Sequence, residues 1–182
     1  MDIYTRTGDD GTTGLLYGGR VAKSAPAPSA YGDVDEAQAA IGVARAHADR
    51  DGELDEVLIG IEADLWVLMA ELATAAQNRH KLSAGTSLVT AEMVDRLEVL
   101  IDGFAERYEQ PREFVVPGQE RVSAFLDLAR TVTRRAERSA VVATSEIDGT
   151  EAVRYLNRLS DLLFVLARWH EGGWVAAKDV GG

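Results

Sequence analysis

The chain has 182 residues, of which 46% are hydrophobic and 27% charged, and it contains no cysteine. These values predict one globular domain, 1–182, and they exclude disulfides and thiolate metal sites. The formal net charge of −11 argues against a general binder of nucleic acid or of anionic membranes. We find no secretory leader and no apolar run long enough to span a bilayer, so we expect a cytoplasmic location.

The first segment, 1–28, is predicted to be a loop, because it is rich in glycine, threonine and charged residues. Gly8, Gly11 and Gly14 alternate with threonines there. Glycine permits close backbone approach and threonine hydroxyls can donate to phosphate, so the segment could cradle a triphosphate. It matches neither a Walker A loop nor a dinucleotide-binding fingerprint. A mobile N-terminal tail is the alternative.

Hydrophobic periodicity predicts an all-α bundle of five helices within 29–171. We expect Ser29 and Thr90 to act as N-caps. The second helix has apolar residues at heptad spacing, which suits bundle packing, and we assign Trp66 and Met69 to its core side. No run predicts paired strands, 77–88 is expected to be a loop and 172–182 a loose tail. The predicted helices are 29–48, 53–76, 90–108, 119–143 and 150–170.

The predicted fourth helix carries a row of arginines. Arg130, Arg134 and Arg138 follow at i, i+4 and i+8 and form one ridge, on which Asp127 and Glu137 also fall. Guanidinium groups offer planar pairs of donors to phosphate oxygens, so the ridge could bind a polyanion. A solvated helix face with local ion pairs is the alternative.

Other chemistry finds little support in the residues. The three histidines lack metal-ligand spacing, the paired Glu-x-x-His pattern of di-iron bundles is missing, and no nucleophile elbow is present. The glycine-rich segment and the arginine ridge therefore remain as two phosphate-binding devices, which together would suit a nucleoside triphosphate. Because the ridge faces outward, a neighbouring subunit could enclose it, which predicts a homo-oligomer.

Six segments match a known family in the same order along the chain: 4–14, 20–23, 31–36, 114–118, 129–138 and 155–161. Together they resemble the PduO-type family of ATP:cob(I)alamin adenosyltransferases. The resemblance implies a five-helix bundle that forms a homotrimer with ATP between subunits. The implied enzyme transfers the 5′-deoxyadenosyl group of ATP to the cobalt of cob(I)alamin, giving adenosylcobalamin and triphosphate. A non-catalytic helical module that binds nucleotide or corrinoid is the alternative.

The resemblance also implies roles for individual residues. Asp35, Phe114 and Arg130 would lie on the corrinoid side, and these three with Arg134 form the implied catalytic set. Asp35 would pair with Arg130 across the subunit interface, and Phe114 would occupy the lower axial side of the corrinoid. The implied ATP-binding residues are Thr5, Arg6, Thr7, Gly8, Thr13, Gly14, Lys23, Arg134, Arg135, Glu137, Arg138 and Asn157.

The resemblance places Mg²⁺ on the ATP phosphates, with no metal site made by the protein alone. We expect transient partners, a reductase and an adenosylcobalamin-dependent client enzyme, but neither nucleic acid nor a membrane. Two residues depart from the family pattern: Asp10 stands where a lysine is frequent, and Asp127 where a histidine is common.

Overall fold

A computed structural model describes residue 4 and residues 6–180. The chain is mostly helical and has one small two-stranded sheet, so the mainly helical prediction is confirmed. None of the helices in the described ranges combines the length and apolar character needed to cross a bilayer. The elements are β1 (Thr12–Gly14), β2 (Arg20–Ala22), α1 (Pro26–His47), α2 (Glu53–Leu72), α3 (Ala91–Ala105), α4 (Arg121–Ala143), α5 (Ala152–Glu171) and the 3₁₀ helices Ala76–Lys81 and Ala177–Val180.

The helices pack as a bundle around one apolar core. α4 lies between α1 and α5, α2 packs on α1, and α3 packs on α5. The heptad positions of α2 are buried, Leu58 and Leu65 completely, as their spacing predicts. Trp66 was assigned to the core, and this was wrong: it is 65% exposed. It lies about 100° around the helix from Leu65, outside the seam.

Two helix starts test the predicted caps. Thr90 caps α3, because its side chain accepts a hydrogen bond from the backbone N–H of Met93. The cap at Ser29 was wrong: α1 begins at Pro26, and its N-cap is Ala25. Proline suits the first turn of a helix, since its φ is already helical and that turn has no partner for its missing N–H. The Ser29 hydroxyl donates instead to the Ala25 carbonyl, at 3.1 Å.

The expectation that the chain has no paired strands was also wrong. β1 and β2 pair antiparallel, with Thr13 opposite Val21. The connecting turn places Tyr17, Gly18 and Gly19 at positive φ, which two of these residues tolerate because they are glycine. Strands of three residues are too short to show a period of two, so the sequence pattern could not reveal them.

The C-terminal segment, predicted to be loose, makes backbone contacts in its described part. The Val116 N–H donates to the Val175 carbonyl at 2.9 Å, and the Ala177 N–H donates to the Phe114 carbonyl at 2.7 Å. Val115 and Ala176 form an antiparallel bridge between these bonds. The segment after α5 therefore lies against the loop that precedes α4.

Candidate functional site

The hairpin gathers several of the predicted loop residues. A Cβ atom on Gly8 would lie 3.2 Å from the Lys23 Nζ and 3.1 Å from the Thr12 carbonyl oxygen. The Lys23 ammonium therefore lies close to Gly8, where an added Cβ atom would be crowded by both neighbours. The backbone N–H of Lys23 donates to the Gly11 carbonyl at 2.9 Å and fixes this arrangement.

Arg20 and Asp10 hold the same loop from the other side. The Arg20 Nη2 donates to the Thr7 carbonyl at 2.5 Å and to the Thr12 Oγ1 at 2.7 Å. Asp10 accepts from the Thr12 backbone N–H at 2.9 Å and from its hydroxyl at 2.7 Å. These bonds from Thr12 lower the pKa of Asp10. Asp10 thus has a structural role, and so does Arg20, a loop-organising residue to which the sequence analysis assigned no role.

The remaining predicted loop residues occupy varied places. Arg6 is exposed, has a positive φ of 59°, and its guanidinium lies 5.3 Å from the centre of the Tyr4 ring. Thr13 and Gly14 form the end of β1. Thr5 lies outside the described residues.

The part of the arginine ridge nearer the C-terminal end of α4 is an exposed, hydrogen-bonded surface shared with α5. Arg134 and Arg138 are exposed, and the Arg138 Nη1 donates to the Arg134 carbonyl at 2.9 Å. Beside them, the Asn157 Nδ2 donates to the Glu137 carboxylate at 3.0 Å. The Asn157 side-chain oxygen accepts from the Arg158 Nη1 at 2.7 Å. Four of the predicted ATP-binding residues therefore share one surface, with two guanidinium groups directed to solvent.

Arg135 points to a different neighbour, because it lies about 100° around α4 from Arg134. It forms ion pairs with Glu36 and, at 3.6 Å, with Asp33 of α1. The Ser139 hydroxyl donates to the same Asp33 carboxylate at 2.5 Å. Arg135 thus joins α1 to α4 within the chain, and its contact with ATP stays a prediction.

Asp127 was placed on the exposed ridge, and this was wrong: it is only 4% exposed. Its Oδ2 lies 2.6 Å from the Nη2 of Arg168, and its Oδ1 lies 3.3 Å from the Nε of Arg130. Arg168 is itself 1% exposed, and its Nε lies 2.7 Å from the Glu171 carboxylate. Asp127 therefore neutralises a buried arginine of α5 while it also holds Arg130.

Sequence reasoning missed Arg168. The available signal was a basic residue between Leu166 and Trp169, on a helix whose other face is built of leucines. A buried arginine needs carboxylate partners. That need would have directed attention to Asp127 of α4 as a possible partner.

The residues assigned to the corrinoid side are not in contact with one another within the chain. Phe114 is 90% exposed on the loop before α4. Asp35 is exposed on α1 and has no ion-pair or hydrogen-bond partner among the described residues. Arg130 is bound to Asp127. The pairing of Asp35 with Arg130, expected between subunits, stays a prediction.

An apolar cavity of about 840 Å³ lies elsewhere, between α2 and α3. Val57, Gly60, Leu97 and Leu100 are among its lining residues, and none of the predicted site residues borders it. Within residues 4 and 6–180, no group of three or more histidine, aspartate or glutamate side chains is arranged to hold a metal ion. The predicted phosphate-binding residues that the structure describes thus lie on the hairpin loop and on α4 and α5, away from this cavity.

Comparison with known proteins identifies the family. The family model described as cobalamin adenosyltransferase matches residues 3–170. The corrinoid adenosyltransferase of Mycobacterium leprae is 43% identical over 184 residues, covering 94% of this chain and 96% of that protein. The corrinoid adenosyltransferase of Citrobacter freundii is 42% identical over 170 residues, covering 93% of this chain and 94% of that protein.

Solved structures agree with the sequence comparisons. A phenylalanine-to-histidine variant of a PduO-type ATP:corrinoid adenosyltransferase from Lactobacillus reuteri, complexed with cobalamin and ATP, superposes with a TM-score of 0.84. The two chains are 29% identical, and the match covers 93% of this chain and 91% of that one. The resemblance seen in the six sequence segments is confirmed. This chain is a transferase enzyme that belongs to the cobalamin adenosyltransferase family.

Proposed function

We propose that the enzyme transfers the 5′-deoxyadenosyl group of ATP to the cobalt of cob(I)alamin and releases triphosphate. The observation that carries this proposal is that one fold presents two exposed surfaces with cationic side chains suited to phosphate. One is the hairpin loop with Lys23 against Gly8, and the other is the exposed pair Arg134 and Arg138. The complex of the Lactobacillus reuteri relative with cobalamin and ATP supports the same pair of substrates.

The hairpin loop is proposed to wrap the triphosphate. Lys23 supplies a positive charge at the surface of a glycine backbone, where a phosphate oxygen can approach both the ammonium and nearby N–H groups. Arg20 and Asp10 fix the conformation of the loop through their hydrogen bonds, and in this proposal they do not contact the phosphates. In this proposal the loop contributes Thr5, Arg6, Thr7, Gly8, Thr13, Gly14 and Lys23.

The α4–α5 surface is proposed to hold the leaving group. Arg134 and Arg138 donate to the phosphates, while Glu137 and Asn157 brace each other beside them at 3.0 Å. Triphosphate gains negative charge as its bond to the 5′ carbon breaks, so fixed cations at this point lower the barrier. We propose that Mg²⁺ is carried on the phosphates, since this ion keeps several waters and commonly binds through substrate phosphates.

The proposed step is a substitution at carbon. The cobalt of cob(I)alamin supplies the electron pair for the new cobalt–carbon bond, and the electron pair of the broken carbon–oxygen bond leaves with triphosphate. The protein therefore needs no nucleophile of its own, because the substrate carries the difficult chemistry. Its task is to align the two substrates and to stabilise the leaving group.

Phe114 is proposed to form the wall of the corrinoid side. Its ring is almost fully exposed in the single chain, although a ring of this size normally gains by burial. A corrinoid packed against this ring would have no room for water on its lower side. Its cobalt would then lack the lower axial ligand. Cobalt(II) that keeps four ligands is easier to reduce to cobalt(I). Asp35 of one subunit and Arg130 of the next are proposed to form an ion pair across the subunit interface, on the corrinoid side of the site.

We propose a homotrimer in which the two phosphate-binding surfaces of neighbouring subunits meet. Within the chain the hairpin is anchored near the end of α2, where the Leu16 N–H donates to the Ala73 carbonyl at 2.8 Å. The arginines lie on the α4–α5 surface, open to solvent. Leu128 and Val142 of α4 are exposed apolar side chains that a neighbouring subunit would cover.

The test is an anaerobic assay with ATP and chemically reduced cobalamin. We expect the absorption spectrum of cob(I)alamin to change to that of an alkylated cobalamin, and triphosphate to appear in equal amount. An unchanged spectrum would refute the proposed reaction and leave binding of nucleotide or corrinoid as the function. Light scattering tests the assembly, since a monomer would contradict a site between subunits.

A further inference from the structure

The inference concerns residues 174–178, which follow α5, and it rests on the proposed role of Phe114. These residues run antiparallel to the loop 113–116. The Ala177 N–H donates to the Phe114 carbonyl at 2.7 Å, and the Val116 N–H donates to the Val175 carbonyl at 2.9 Å. The two bonds flank Val115, so the backbone is held on both sides of one residue, as in a short ladder.

Side-chain contacts fasten both ends of this pairing. At one end, Lys178 forms an ion pair with Glu113, the residue before Phe114. At the other end, the Trp174 indole N–H donates to the Glu109 carbonyl at 3.3 Å. The pairing is therefore tied to the chain on either side of the loop as well as within it.

The turn after α5 directs the segment to this place. Gly172 has a φ of +63° and ends the helix in the left-handed conformation, which reverses the chain direction. Ala176 is then buried while Phe114 stays exposed. The tail thus packs inward and the ring projects outward from the opposite strand.

An exposed ring has few packing contacts of its own to fix it. Its direction depends on the backbone that carries it, and that backbone is ordered here by the hydrogen bonds from the tail. A group ordered before its ligand arrives loses less conformational entropy on binding and keeps the geometry the reaction needs. We infer that residues 174–178 are a positioning element that holds Phe114 in place against the corrinoid.

The critical test replaces one hydrogen-bond donor. Ala177→Pro removes the N–H that donates to the Phe114 carbonyl. Ala177 begins a 3₁₀ helix, where proline fits the backbone, and Ala176 before it is in a strand-like bridge that proline also permits. Ala177→Val is the matched control, because it adds a side chain of similar size at an exposed position and keeps the donor.

Three measurements are made on the full chain. Hydrogen exchange at the Val116 amide reports the pairing, the spectrum of four-coordinate Co(II) with ATP bound reports the corrinoid side, and steady-state kinetics report KM for ATP. We expect Ala177→Pro to speed exchange, to weaken the four-coordinate signal and to lower kcat by about tenfold, as a loosened positioning group should. KM for ATP should stay unchanged, and Ala177→Val should behave as the parent.

Two further variants separate the possible failures. Ending the chain after Gly173 should reproduce the effects of the proline variant, and should add no further loss of signal when Phe114→Ala is already present. If Phe114→Ala leaves the four-coordinate signal intact, the proposed role of Phe114 fails. If Phe114→Ala abolishes the signal while Ala177→Pro and the shortened chain retain it, the positioning role of residues 174–178 is overturned.

Discussion

Replacing Arg168 by methionine should strongly destabilise the fold. The guanidinium is completely buried and neutralises the side chains of Asp127 and Glu171, which are 5% and 0% exposed. Methionine keeps much of the volume but leaves two buried carboxylates without that partner. Removing one member of a buried ion pair costs about 3–5 kcal/mol, out of the roughly 5–15 kcal/mol that stabilise a typical domain. Arg130 still holds Asp127 at 3.3 Å, so we expect the lower half of that range.

The measurement is urea unfolding at neutral pH, with the melting temperature as a second readout. A loss of about 3–4 kcal/mol corresponds to a decrease of roughly 6–16 °C in a protein of this size. Arg107→Met is the control. It removes an exposed ion pair with Glu53 at 2.7 Å, in which both side chains are about half exposed, and should cost about 1 kcal/mol or less.

The pH dependence provides a second check on the same variant. Burial raises the pKa of the Glu171 carboxyl, and Arg168 opposes that shift. Without the arginine this pKa rises further. A carboxyl group whose pKa is raised by folding favours the folded state at low pH and loses that contribution as the pH rises through the raised value. The loss of unfolding free energy caused by Arg168→Met should therefore be smaller at mildly acidic pH than at neutral pH. A loss of unfolding free energy of only about 1 kcal/mol at neutral pH, with no dependence on pH, would refute the proposed role of Arg168.

Three further predictions concern the candidate site and the start of α4. Arg134→Ala should lower kcat roughly a hundredfold in the anaerobic assay, since it removes a donor to the leaving group. Gly8→Ala should raise KM for ATP, because the new Cβ would lie 3.2 Å from the Lys23 Nζ. Burial alone would raise the pKa of Glu120, but the backbone N–H groups of α4 and His170 lower it. Its stabilising effect is thus present above the ordinary glutamate pKa and lost as the pH falls through the lowered value, so Glu120→Gln should flatten acid unfolding curves.

Controls make these three predictions decisive. Arg121→Ala removes an exposed arginine from the first turn of the same helix and should leave kcat unchanged. Equal kinetics for Arg134→Ala and Arg121→Ala would show that the arginine ridge is a solvated helix surface without a role in the reaction. An unchanged KM for ATP in Gly8→Ala would show that ATP does not use the contact with Lys23. If Glu120→Gln unfolds in acid like the parent, the ionisation of Glu120 does not contribute to stability at the start of α4.

The helices were predictable because their signal is local and repeated. Each heptad of α2 presents the same apolar face, and Leu58 and Leu65 are buried accordingly. The burial of Asp127 was not predictable in this way. It lies one heptad before Arg134 and therefore on nearly the same side of α4, yet Asp127 is buried and Arg134 is exposed. Periodicity predicts the direction in which a side chain points. It does not predict which part of the helix is covered by a neighbouring helix.

The candidate phosphate-binding residues were singled out because glycine, threonine and arginine suit contact with phosphate, and their role in binding ATP stays a prediction. The pairing of 114–116 with 175–177 had no such signal, because it joins segments far apart in the chain through backbone atoms. Backbone hydrogen bonds are available to almost every residue, so their partners cannot be read from residue type.

The buried ion network also constrains how this sequence can change. Asp127 and Arg168 lie on different helices with their charged atoms 2.6 Å apart, and each has one further ion-pair partner, Arg130 and Glu171 respectively. A chain that exchanges either residue alone leaves the other buried charge with only one of its two partners, which selection for a folded enzyme disfavours. Positions 127 and 168 should therefore vary together among proteins of this fold. Where position 127 carries a neutral side chain, we expect the arginine at 168 to be replaced as well.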